Sequence, residues 1–127
     1  MTPQEHQARV ATLIGDFRAA TTQYFQAAFL DHHRTMKKYL KAMGVAVRTL
    51  DTVPPDGRME MLPLLDDPDD GIRSYAAAYL FSQMPDRAKA IWDDIMMRSR
   101  HLEARENAVK HSIMTEHFPD KFIEAFR

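Results

Sequence analysis

The sequence predicts an all-α fold, a compact stack of antiparallel helix pairs. Two observations carry this. Apolar residues recur at i, i+3, i+4 and i+7 along almost the whole chain, and only four glycines (Gly15, Gly44, Gly57, Gly71) interrupt 127 residues. The most prominent loop, Pro54-Pro55-Asp56-Gly57, divides a single domain (1–127) into an N-terminal helical hairpin over 1–53 and a second helical set over 57–127.

Each element has a local reason. Thr2 as N-cap, Pro3 at the first helical position and Glu5 three residues beyond the cap form a capping box for the first helix. Its apolar stripe runs Val10, Leu13, Ile14, Phe17, Thr21, Tyr24, Phe25 and Ala28, with Gly15 and Thr21-Thr22 as places where a break or bend is open. Asp31 is the expected N-cap of a second helix with stripe Met36, Tyr39, Leu40, Met43, Val47 and Leu50. A short helix follows over Arg58–Leu65. Asp69 or Asp70 then caps a helix carrying Ile72, Tyr75, Ala76, Tyr79 and Leu80. After Met84-Pro85-Asp86 a helix turns Ala88, Ile91, Trp92, Ile95 and Ser99 inward. The next holds Arg105, Ala108, Val109, Ser112 and Ile113 at helical spacing, and Phe118-Pro119 opens a short C-terminal helix with Phe122, Ile123 and Phe126.

The string from Leu64-Leu65 through Asp67-Pro68-Asp69 to Ile72-Arg73 and Ala76-Ala77-Ala78-Tyr79-Leu80 resembles the core of a HEAT repeat. A fainter copy lies 32 residues on, placing Arg105 on Arg73 and Ala108 on Ala76. That spacing is shorter than the ~40 residues usual for such units. The order of elements also resembles a family of small bacterial proteins classed as a domain of unknown function with HEAT-like helices. The resemblance implies an α-α superhelix of two HEAT-like pairs over 57–127, and no activity. It also implies that Arg73 bonds aspartates of its turn, with Asp69 and Asp70 four and three residues before it.

Composition removes several function classes. No apolar run approaches the ~18 residues of a membrane span, and the start lacks a basic segment followed by an apolar one, so a cytoplasmic protein without membrane contact is expected. Without cysteine there is no disulfide, thiol nucleophile or zinc ribbon. Net charge is −1, unlike a typical nucleic-acid-binding domain. Residues 1–50 nevertheless carry seven Lys/Arg against three Asp/Glu, while 51–95 carry four against ten.

Motifs for nucleotide loops and nucleophile elbows are absent. The acidic turn fails as a calcium loop, because counting from Gly71 at position 6 puts Pro68 at 3 and Ala77 at 12. The six histidines (His6, His32, His33, His101, His111, His117) lack metal-ligand spacing and are expected on exposed helix faces, so neither metal nor cofactor is expected. No catalytic residue is assigned.

What remains is a non-enzymatic protein-interaction module, an adaptor or toxin-neutralising protein, with another protein as partner and homodimerisation as a further outcome. If second helices line a concave face as in HEAT stacks, Arg73, Tyr75, Tyr79, Arg105 and Lys110 form the partner-binding surface. The alternative is nucleic-acid binding through the basic band Arg34, Lys37, Lys38 and Lys41 beside His32 and His33, or base processing, which the resemblance to HEAT-like proteins that handle bases with an aromatic and an aspartate implies for Tyr75, Tyr79 and Trp92 near Asp93 and Asp94.

Overall fold

A computed structural model describes all 127 residues, Met1–Arg127, as six α-helices and one 3-10 segment. The helices are α1 (Pro3–Phe29), α2 (His33–Leu50), α3 (Asp70–Leu80), α4 (Pro85–Arg98), α5 (Leu102–His117) and α6 (Pro119–Ala125), with the 3-10 segment at Gly57–Asp66. They form two compact units, Met1–Met61 and Leu62–Arg127.

The first unit is built on the α1–α2 hairpin. Thr2 Oγ1 accepts from the Glu5 N–H at 3.1 Å, satisfying one of the free donors at the helix start. The helix then runs unbroken for 27 residues. Neither Gly15 nor Thr21-Thr22 breaks it; Thr21 is buried, and its hydroxyl is satisfied by donating to the Phe17 carbonyl at 2.7 Å. Leu13, Phe17 and Phe25 of α1 and Met43, Val47 and Leu50 of α2 are buried. At the far end of the hairpin His6 Nε2 lies 2.9 Å from the Pro54 carbonyl, so the start of α1 sits beside the end of α2.

Asp31 is not the cap of α2. It adopts φ 57°, in the left-handed region, while His32 N–H donates to Ala27 O (2.9 Å) and Asp31 N–H to Ala28 O (3.1 Å). These two bonds are the Schellman pattern that ends α1, with an aspartate where glycine is usual. His32 occupies the N-cap of α2 without a side-chain capping bond. At the other end of α2, Arg58 makes a bidentate pair with Asp51, Nε to Oδ1 at 2.8 Å and Nη2 to Oδ2 at 2.6 Å, which fixes the start of the 3-10 segment. This segment is the short helix expected over Arg58–Leu65, wound as a 3-10 helix.

In the second unit α3 is the core helix. Asp69 caps it, accepting from Ile72 N–H at 3.0 Å. Every residue from Gly71 to Leu80 is buried except Arg73. Alanines 76, 77 and 78 leave room for neighbouring helices on all sides of α3, and α4 and α5 both pack against it. Trp92 of α4 is fully buried and donates its indole N–H to the Ser74 carbonyl at 3.1 Å. Phe81 stacks on it, and Phe122 of α6 and Phe126 just after it close the cluster with edge contacts to Phe81 and Tyr79. No helix in the chain is long and apolar enough to cross a membrane.

Candidate interaction surface

Helix α5 carries the two faces that matter. His101 Nδ1 accepts from the Ala104 N–H at 3.1 Å and starts the helix. Ala104, Ala108, His111 and Thr115 are buried, a row at spacings of three and four residues that faces α3 and α4. Turning by about 100° per residue, the opposite side of the helix carries Leu102, Val109 and Ile113 within about 40° of one another. All three are open to solvent, at 59%, 41% and 51%. Arg105 lies on one flank of this stripe and Lys110 on the other, both exposed, with Glu106 and Glu116 also exposed beside it.

The orientation refines the sequence-based register. Val109 and Ile113 fall in the same helical-spacing set as Ala108, yet of these three only Ala108 is buried. The inner row is instead Ala104, Ala108, His111 and Thr115, and the aliphatic Val109 and Ile113 lie outside. Alanines at positions 104 and 108, four apart, are the signal in the sequence that marks this face.

The five residues expected to bind a partner therefore separate. Arg105 and Lys110 are exposed and flank one stripe. Tyr75 and Tyr79 lie in the core at 3% and 4% exposure, their rings 6.3 and 4.9 Å from that of Phe126, so they present no surface. The expected concave face fails there because α3 is enclosed rather than lining a groove. Arg73 is mostly buried and committed: Nη1 donates to Asp70 Oδ1 at 3.0 Å and Nη2 to Asp94 Oδ2 at 3.1 Å. Of its two expected partners, Asp70 is engaged, whereas Asp69 is used in the cap.

The side chains suggested for base handling are likewise turned inward or occupied. Trp92 is enclosed, and Asp94 binds both Arg73 and Arg98, the latter at 3.2 Å. On α2 the band Arg34, Lys37, Lys38 and Lys41 is exposed as expected. His33 Nε2 pairs with Asp31 Oδ1 at 3.1 Å at the exposed hairpin turn.

His111 departs furthest from expectation. Expected on an exposed face, it is 4% exposed, its ring 5.2 Å from Tyr75, 5.4 Å from Trp92 and Phe122 and 5.5 Å from Phe126. Burial, with the Lys110 charge adding to it, lowers its pKa from 6.5 to about 3, so the imidazole is neutral. Ser74 Oγ donates to Asn107 Oδ1 at 2.6 Å and lies 3.5 Å from His111 Nδ1. A serine beside a histidine suggests a nucleophile and its base, but here both are enclosed and the hydroxyl proton is directed to Asn107. No group of three or more His, Asp or Glu side chains is gathered as a metal ion would require.

Comparison with protein-family models, with curated proteins and with solved structures finds no match to this chain.

Proposed function

We propose that the chain is a non-catalytic protein-interaction module on a HEAT-like scaffold, and that its contact surface is the outer face of α5. One observation carries this reading: the solvent-open stripe Leu102, Val109 and Ile113 runs along a helix whose other face is fully packed. Exposed aliphatic side chains aligned on one helix face and bordered by charges fit an interface core with a polar rim. Arg105 and Lys110, with Glu106 and Glu116, supply a rim of mixed sign that favours a partner carrying both charges around an apolar ridge. Adaptor and toxin-neutralising roles both fall within this reading.

A photo-crosslinking residue placed at Val109 or Ile113, with Lys89 on α4 as control, tests it in host cells. The expected result is one discrete protein adduct from the α5 positions, lost on Arg105→Glu with Lys110→Glu and absent from the control. Equal labelling from all three positions, or adducts only to a second copy of the chain, would reject the heterologous-partner reading.

A further inference from the structure

The groove between α1 and α2 carries a separate chemistry. It has a volume of about 540 Å³ and is lined from both helices. On α2 its lining recurs at residues 38, 42, 45 and 49, and on α1 at 9, 13 and 16. Spacings alternating between four and three keep one stripe of a helix facing a neighbour, as along the seam of a coiled coil. The groove is therefore bounded by two such stripes, the receptacle that a third helix fills in a bundle. From Lys38 to Thr49 the lining extends about 16 Å at 1.5 Å per residue, or three helical turns.

Its floor is apolar. Leu13 is buried at the base, Val45 is 51% exposed, and Ala42 and Ala46 keep the seat shallow enough for close approach. Its edge is cationic. Arg9, Lys38 and Lys41 stand against the single carboxylate of Asp16, and none of the ion pairs within the chain engages these four residues. Lys38 Nζ lies only over the ring of its neighbour Tyr39, at 5.2 Å.

We infer that this groove seats an amphipathic, acidic helix of a partner protein, with aliphatic side chains on Val45 and Leu13 and carboxylates against Arg9, Lys38 and Lys41. The apolar floor separates this occupant from a nucleic-acid backbone, which brings phosphates but no aliphatic ridge. A second copy of α2 brings like charges to the same edge. The inference does not depend on the outer face of α5.

The test uses the full chain and a fluorescent synthetic helix of about 15 residues, four turns long, with leucines at alternating three- and four-residue spacing flanked by glutamates. The same peptide with lysines in place of the glutamates, and a short DNA duplex, are the controls. The glutamate peptide is expected to bind, with affinity falling as salt rises. Lys38→Glu with Lys41→Glu should weaken it by about tenfold or more, and Val45→Asn severalfold. All three sites are exposed, so far-UV circular dichroism should be unchanged. Ile113→Asp on α5 should leave peptide binding intact, which separates failure of this inference from failure of the α5 reading. The inference is overturned if the glutamate peptide does not bind, or binds both groove variants as well as the native chain. It is equally overturned if the duplex binds more tightly and is lost with the lysine variant while Val45→Asn has no effect, which would assign the edge to phosphates. Sedimentation showing a dimer that Val45→Asn dissolves would assign the groove to a second copy.

Discussion

Arg73 on α3 and Asp94 on α4 meet at 3.1 Å, tying together two helices that sequence spacing alone does not relate. The Arg73 side chain is 19% exposed and also holds Asp70 at 3.0 Å, so one guanidinium joins the start of α3 to the middle of α4. Removing it leaves the Asp70 carboxylate, partly withdrawn from water, without this cation, while Asp94 keeps only its pair with the exposed Arg98. Arg73→Ala should lower the unfolding free energy by about 1–2 kcal/mol, screening by solvent at Asp94 keeping the loss below that of a fully buried network. Urea denaturation measures it. Arg73→Lys should recover only part, since one ammonium reproduces the planar fork poorly. An alanine variant as stable as the native chain would show that the pair contributes nothing.

Stability should also depend on pH through His111. In the folded chain this imidazole resists protonation until about pH 3, whereas unfolded it takes up a proton near 6.5. Below pH 6.5 the unfolded chain therefore binds the extra proton, and folding weakens as pH falls. His111 should account for a loss of about 2 kcal/mol between pH 7 and pH 5, continuing down to the folded pKa. The term vanishes above pH 7. His111→Gln, uncharged throughout, should be less stable at pH 7 yet lack this part of the acid slope. Parallel slopes in the two proteins, from denaturation at a series of pH values, would remove His111 as the cause.

How much of this was legible in the sequence follows from what periodicity can encode. The capping of α1 by Thr2 and of α3 by Asp69 is local chemistry and reads directly from residue type and spacing. The 3.6-residue period likewise marks the helices. Period alone does not say which side is inside when a helix carries apolar residues on more than one side, as α3 and α5 do. There the packing distance decides: alanines 104 and 108 turn in, and Val109 and Ile113 turn out. Tyr75 and Tyr79 fit the apolar stripe of α3, and their place on a partner surface came only from the HEAT-like resemblance; α4, α5 and Phe126 enclose them. His111 gives no signal at all, because a neutral buried histidine and an exposed one are the same letter. The α1–α2 groove was visible only as its cationic half, the band on α2. Its apolar floor and Arg9 come from the pairing of two distant segments.

The hairpin turn offers a stabilising substitution. Asp31 holds φ 57°, a conformation that costs a residue bearing a Cβ roughly 1 kcal/mol or more and glycine almost nothing. Its contact with His33 joins side chains 84% and 76% exposed, too open to water to offset that strain. Asp31→Gly should raise stability by up to about 1 kcal/mol, less the flexibility that glycine adds to the unfolded chain. A higher urea midpoint with unchanged slope is the expected reading. A lower midpoint would mean that the aspartate makes a local contribution larger than the strain it bears.

The orientation of α5 can be tested by enlarging each of its faces in turn. Ala108 is fully buried, while Val109, the next residue along, is 41% exposed. Adding three carbons at position 108 pushes into helices already in contact and should cost about 1–3 kcal/mol, because a close-packed interior accommodates extra volume only by moving side chains or backbone. Val109→Leu adds one carbon toward solvent and replaces a β-branched residue by a better helix former, so stability should change by less than about 0.5 kcal/mol. Val109→Asp should leave the fold intact and remove crosslinking from Ile113, as the charge interrupts the apolar row between Leu102 and Ile113. The opposite pattern, tolerance at Ala108 and destabilisation at Val109, would mean that α5 is rotated to the register with Val109 and Ile113 inside. The outer stripe would then be core, and the proposed contact surface would be lost with it.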